Sequence, residues 1–185
     1  VCDSLWLNRT FREEIRKKIA EAPLKDMSYR NSDVGFILLQ MLAEELSGKP
    51  MDEYLWQEFY QPMGLEHTAY LPLRYFDKKE VVPSAVDRFL RKTTLQGFVH
   101  DESAAFQGGI SGNAGLFSNA REVGRIYQML LNGGELDGRR YLSKETCALC
   151  TTEMSKISRR GVGCDKPDMV NESKSPCAAA VPVTV

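Results

Sequence analysis

Long apolar runs are missing from this chain. No stretch approaches the roughly 20 residues that cross a bilayer, so no membrane span is expected, and no signal peptide opens the sequence. An excess of one charge is missing too. A net charge of −1 gives no electrostatic case for a nucleic-acid partner or an anionic membrane surface. Histidine is scarce, with only His67 and His100, and the spacing supports no serine-histidine-acid triad. His67, in Leu65-Glu66-His67-Thr68, reads as a surface turn residue. His100-Asp101-Glu102 lacks the further ligands that a metal site needs, so His100 reads as a structural hydrogen-bonding residue.

A second Cys-x-x-Cys is also absent. The five cysteines are Cys2, Cys147, Cys150, Cys164 and Cys177, and the odd count argues against a complete disulfide framework while leaving one or two bridges open. Cys147-Ala148-Leu149-Cys150 has redox or zinc spacing, but both histidines are distant in sequence. It reads as two cysteines in a helical turn behind Leu142-Ser143-Lys144-Glu145-Thr146. No internal repeat appears.

What is present is a chain of 185 residues, 43% apolar and 26% charged, with the composition of a soluble globular protein long enough for one domain with a core. Residues 8–21 read as an exposed amphipathic helix with Phe11, Ile15 and Ile19 on one face, ended by Pro23. Asn31, Ser32 and Asp33 supply capping side chains for a helix from about Val34 to Leu46, with Gly48 as its stop. Met51, Tyr54, Leu55 and Phe59 recur at helical spacing over Met51–Tyr60, and Pro62-Met63-Gly64-Leu65 breaks that helix. Residues 70–107 show mixed aromatics, prolines and charges without a sustained period, which predicts a long, partly ordered excursion. Asn119 is placed to cap a helix over about Ala120–Leu131 that ends in Asn132-Gly133-Gly134. After Met154 the chain turns polar, and helices outweigh the visible strands.

Between these lies Gly108-Gly109-Ile110-Ser111-Gly112-Asn113-Ala114-Gly115-Leu116-Phe117-Ser118. Ser111 is flanked by glycines, but Asn113 stands where a Gly-x-Ser-x-Gly nucleophile elbow needs its last glycine. No Lys-Ser or Lys-Thr follows, as a phosphate loop requires. The plain reading is a tight turn whose glycines allow positive φ and close backbone packing.

Four collinear segments over roughly residues 29–146 together resemble one family. Tyr29-Arg30-Asn31-Ser32-Asp33-Val34-Gly35-Phe36-Ile37-Leu38-Leu39, followed by Glu44 and Gly48, resembles the Tyr-x-Asn motif and helix of serine β-lactamases and penicillin-binding-protein-like hydrolases, those related to class C β-lactamases. Phe59-Tyr60-Gln61-Pro62-Met63-Gly64-Leu65-Glu66-His67-Thr68 is similar to the family's "PLGM…T" turn. The glycine-rich stretch above is similar to its "GG…GLxS" loop. Gln128-Met129-Leu130-Leu131-Asn132-Gly133-Gly134, with Tyr141-Leu142-Ser143, resembles its "MLLNGG…LS" helix and turn.

The resemblance implies a serine hydrolase of the bacterial cell envelope, periplasmic or extracellular, acting on β-lactams, D-alanyl peptides or small esters through an acyl-enzyme. The serine of a Ser-x-x-Lys attacks the carbonyl, a Lys or Tyr takes its proton, and backbone N–H groups hold the oxyanion. The sequence contains no Ser-x-x-Lys and no Lys-Thr-Gly or His-Thr-Gly, so the chain is expected to be an internal, partial β-lactamase-like domain over residues 1–185. The implied fold is α/β (α+β), an antiparallel sheet with flanking helices and a helical region, of which this chain supplies mostly the helical part. No metal or organic cofactor is implied.

The resemblance assigns catalytic positions to Tyr29, Asn31 and Asp33, and substrate-binding positions to Ser111, Gly112 and Asn113. Two registers are open. Laid on the family's helix-ending glycine, Gly48 puts Asn31 at the tyrosine position and Asp33 at that of the asparagine. The other register reads Tyr29-Arg30-Asn31 as an intact Tyr-x-Asn and needs a two-residue insertion. The difference is chemical, because a phenol can be tuned into a base and an amide cannot. A non-catalytic relative that binds cell-wall peptide or a protein partner is the alternative. An unrelated helical interaction domain would show no cleft around residues 29–33 and 108–118.

Overall fold

The first amphipathic stretch forms helix α1 (Phe11–Glu21) in a computed structural model that describes residues 1–8, 10–23, 32–156 and 160–162. Tyr29, Asn31, Cys164 and Cys177 therefore lie outside the described residues. Two units form, Val1–Arg125 and Ile126–Val185.

In the first unit, α1 sets Phe11 edge-on against Phe106, with ring centroids 5.6 Å apart. Helix α2 (Asp33–Ser47) begins where the capping cluster predicts. Of its three candidate residues it is Ser32 that caps, accepting from the Val34 N–H at 3.3 Å. Gly48 ends it in the left-handed region at φ 66°, its N–H bonded to the Glu44 carbonyl at 2.9 Å. Only Ile37 and Gln40 of α2 are buried. Phe36, Leu39, Leu42 and Leu46 stay exposed, so the apolar face that the sequence provides has no full cover among the described residues.

Helix α3 (Met51–Leu55) passes straight into a π-helical turn at Trp56–Tyr60, which the helical spacing alone does not distinguish from an ordinary continuation. The segment 70–107 is more ordered than its irregular composition predicts. It holds strand β1 (Ala69–Tyr70), two 3-10 turns at Pro72–Arg74 and Lys78–Glu80, an antiparallel hairpin of β2 (Pro83–Asp87) with β3 (Thr93–Gln96), and helix α4 (Glu102–Phe106). Strand β4 (Leu116–Phe117) then returns to pair with β1, Ala69 opposite Phe117. A small core gathers Val99, Ala104 and Ala105, with Ala114 packed on it.

Helix α5 (Ala120–Leu131) starts as expected, with Asn119 Oδ1 accepting the Glu122 N–H at 2.9 Å. In the second unit β5 (Glu135–Leu136) and β6 (Arg139–Arg140) form a hairpin around Asp137 and Gly138, both at positive φ. Helix α6 (Lys144–Thr151) is capped by Ser143 and carries Cys147 and Cys150 on adjacent turns as free thiols. Cys2, in the first unit, is also free.

Candidate functional site

The helix behind the Asn31-Ser32-Asp33 cluster and the glycine-rich loop meet through one buried amide. Gln40 is 2% exposed. Its Oε1 accepts the Gly112 N–H at 3.0 Å, and its Nε2 donates to the Ile110 carbonyl at 3.2 Å. A side-chain amide carries a donor and an acceptor on separate atoms, so it can satisfy a backbone N–H and a backbone carbonyl at once. Gly112 has no room for more than hydrogen, since a Cβ there would stand 2.2 Å from the Phe36 carbonyl oxygen. The loop therefore lies directly on the α2 backbone. Its remaining glycines behave as the sequence predicts, with φ of 85°, 86° and 112° at Gly108, Gly109 and Gly115.

Inside the loop, Ser111 is 1% exposed and donates to Asn113 Oδ1 at 2.6 Å. Asn113 Nδ2 donates in turn to Asp101 Oδ1 and to Ser103 Oγ, both at 3.0 Å. Asp101 caps α4, accepting from the Ala104 N–H at 2.7 Å and from Ser103 Oγ at 2.6 Å. Burial would raise the Asp101 pKa, but the donors from Ser103, Ala104 and Asn113 prevail and hold it below the usual carboxylate range. The backbone entering this network is held by Arg91, whose Nη1 donates to the Val99 carbonyl at 2.7 Å and whose Nη2 reaches the His100 carbonyl. His100 thus contributes through its backbone. Arg91 pairs with Asp87 and brings the Asp87 pKa down to about 2.

Beside this network opens a cavity of about 480 Å³, within the range of ligand sites. Ser32 and Asp33 line it from the start of α2, Ser103 and Gln107 from α4 and its end, and Ile15 and Ile19 from α1. Gln107 is fully buried and accepts from Arg16 Nε at 3.2 Å. Its Nε2 finds no acceptor among the described residues. Arg16 also pairs with Glu44 at 2.8 Å, and Glu44 accepts from Gln40 Nε2 at 3.0 Å, so α1, α2 and α4 are tied through one polar chain. Burial would raise the Glu44 pKa, but its bonds from Arg16, Gln40 and the Met51 N–H lower it overall.

The far end of the loop is anchored by a carboxylate. Glu122, 6% exposed, accepts from Thr68 Oγ1 at 2.6 Å and from the His67 N–H at 3.0 Å, with His67 Nδ1 3.1 Å away. Thr68 Oγ1 also lies 2.7 Å from Ser118 Oγ. Burial pushes the Glu122 pKa up, yet these donors outweigh it and the group stays below its ordinary value. His67 occupies the exposed turn that the sequence predicts, with its ring held against Glu122 and stacked 5.7 Å from Phe76.

Of the residues singled out by sequence, Asp33 is the first residue of α2, exposed at the mouth of the cavity. Ser111 and Asn113 bond to each other, and Gly112 is engaged by Gln40. Ser103 links the two groups, because it lines the cavity and touches Asn113. Gln40, Gln107 and Glu122 were not singled out by sequence reasoning. Gln40 carried a usable signal, a polar residue on the apolar stripe of α2 one turn after Phe36.

A family model described as Beta-lactamase matches residues 3–162. Over 144 residues the chain is 35% identical to a protein of Escherichia coli (strain K12) provisionally named a D-alanyl-D-alanine carboxypeptidase, covering 71% of this chain and 33% of that protein. It is 40% identical over 132 residues to the N-acetylmuramyl-L-alanine amidase of Bacillus subtilis (strain 168), covering 65% of this chain and 30% of that one. Among solved structures, a D-amino acid amidase from Ochrobactrum anthropi SV3 complexed with L-phenylalanine superposes with a TM-score of 0.56 at 16% identity, over 82% of this chain and 40% of that one. The octameric penicillin-binding protein homologue from Pyrococcus abyssi superposes at 0.57 and 20% identity, over 80% and 32%. The chain belongs to the beta-lactamase family, and its fold is β-lactamase/transpeptidase-like, with small antiparallel strand pairs among flanking helices. It spans about a third of the length of the curated relatives it matches.

Proposed function

We propose that this chain is part of a serine hydrolase that opens β-lactams, D-alanyl peptides or small esters through an acyl-enzyme, and that the isolated 185 residues are inactive. The observation that carries the reading is the cavity shared by Asp33, Ser103 and Gln107. It lies beside the motif helix and next to the network that runs through Asn113 to Ser111. Gln107 lines this cavity and its Nε2 has no partner among the described residues, which leaves a donor for a carbonyl oxygen of a substrate. In the reaction a serine Oγ adds to the carbonyl carbon. The C–N or C–O bond then breaks, the leaving group takes a proton, and water hydrolyses the ester formed. The serine and lysine for this step are not in these 185 residues.

Labelling with a fluorescent penicillin and with a fluorophosphonate tests the claim. No covalent adduct is expected, and stoichiometric labelling would overturn it. The reading as a non-catalytic relative draws on Asn31, which cannot accept the serine proton if it occupies the tyrosine position. In a longer form bearing Ser-x-x-Lys, Asn31→Tyr then raises acylation by about 10²-fold or more. If Tyr29 is the base instead, Tyr29→Phe lowers acylation and Asn31→Tyr does not raise it.

A further inference from the structure

The π-helical turn at Trp56–Tyr60 borders a second cavity that the hydrolase reading does not use. Its volume is about 260 Å³, and Trp56, Tyr60, Tyr70 and Phe76 wall it while Asp52 and Glu66 stand in the same lining. The turn closes i to i+5, the Gln61 N–H bonding the Trp56 carbonyl at 2.9 Å. Such widened turns recur at functional sites, and here the turn brings two of the aromatic walls to one cavity. Tyr75, 65% exposed, stands at the rim and meets Phe76 edge-on at 6.4 Å.

The chemistry of the walls selects the ligand. Aromatic faces carry the negative side of the ring quadrupole, and a small space with four such rings in its lining favours a cation over an anion or a neutral dipole. Both phenols keep those faces uncharged. Burial pushes the Tyr60 pKa well above its ordinary value, and burial together with the Asp52 charge pushes that of Tyr70 up to about 12. Two carboxylates add negative charge. Glu66 is exposed and has no partner among the described residues. Among the described residues Asp52 has one loose ion-pair contact, 3.9 Å to the half-exposed guanidinium of Arg74, and its charge also reaches Arg12, which pairs with Glu44. The lining itself holds two carboxylates and no lysine or arginine.

We propose that this cavity binds a small organic ammonium ion of about choline size, its cationic head against Trp56 and the tyrosines and its charge balanced by Asp52 and Glu66. The inference stands on this cavity alone and survives if the hydrolase reading fails. Arg74 acts as a competing internal cation, so Arg74→Ala tightens binding.

The test is fluorescence of the full 185-residue chain carrying Trp6→Phe, which leaves Trp56 as its one tryptophan. Titration with choline should give a saturable change, while the uncharged isostere 3,3-dimethylbutan-1-ol should give none. Glu66→Gln is expected to weaken choline binding about 3-fold, and adding Asp52→Asn about 10-fold or more, the scale of removing a charge that faces a cation in a partly desolvated site. Glu66 is exposed, so the single variant keeps the parent fold. Absence of a saturable signal, equal binding of the alcohol, or unchanged affinity in Glu66→Gln would each overturn the proposal.

Discussion

The two ends of the glycine-rich loop are held by different chemistry. At the near end Gln40, a neutral amide, takes the Gly112 N–H and the Ile110 carbonyl. At the far end Glu122, a buried carboxylate, gathers donors from His67 and Thr68, and Thr68 reaches Ser118. The neutral clamp tolerates pH, because nothing in its direct contacts to the loop titrates. The charged clamp makes stronger bonds but depends on remaining ionised. One loop is thus fastened at a pH-indifferent point beside the motif helix and at a pH-sensitive point beside α5.

The largest expected effect comes from the contact that defines the near end. Gly112→Ala drives a Cβ to 2.2 Å from the Phe36 carbonyl oxygen, and backbone on both sides leaves little room to yield. A loss of about 3 kcal/mol is expected, read as a fall of roughly 6–12 °C in the thermal midpoint. An unchanged midpoint would mean that the loop does not lie on α2.

Gln40→Ala comes next, leaving the buried Ile110 carbonyl and Gly112 N–H unpaired at a cost of about 2–3 kcal/mol in urea unfolding. Glu122→Gln should cost about 1–2 kcal/mol at neutral pH, since the amide keeps the shape but sets an N–H against donors. The two variants separate in acid. The folded-state pKa of Glu122 lies below its ordinary value. Its contribution is therefore full above the unfolded-state pKa, near 4.5, and is lost as pH falls through the folded value. Between about pH 5 and 3, Glu122→Gln should show a clearly shallower loss of stability than the parent, and Gln40→Ala only a slightly shallower one, because it removes one of the several bonds that lower the Glu44 pKa. Some slope remains in both, because Glu44, Asp87 and Asp101 also titrate low. Equal slopes in all three proteins would erase the distinction between the two ends.

The smallest effect has the opposite sign. Gly124 lies within α5 with nothing within 4 Å of a built Cβ, so Gly124→Ala should stabilise by about 0.5–1 kcal/mol. Calorimetry showing a gain there and a loss at Gly112 would separate a glycine needed for close approach from one that is not.

How much was legible follows from how local each feature is. The Ser32 cap, the Gly48 stop and the Asn119 cap are read within a few residues, because capping and helical periodicity act over one or two turns. Asp137-Gly138 was equally local, a dipeptide suited to a two-residue hairpin, and its signal went unread. The segment 70–107 was illegible for another reason. Its order comes from Arg91 reaching the carbonyls of Val99 and His100 and from β1 pairing with β4 far along the chain, and neither leaves a periodic trace.

By itself the sequence determined helices α1, α2 and α5, the turn glycines, the family and the absence of a Ser-x-x-Lys from these residues, because each is written in residue type and short spacing. The tertiary structure alone decided which groups meet. Gln40 joins residues 70 and 72 positions apart, Glu122 reaches back 54 to Thr68, and Ser103 connects the cavity to Asn113. Those encounters depend on the path of the backbone through space, and a buried amide or carboxylate shows its purpose only once its partners are beside it.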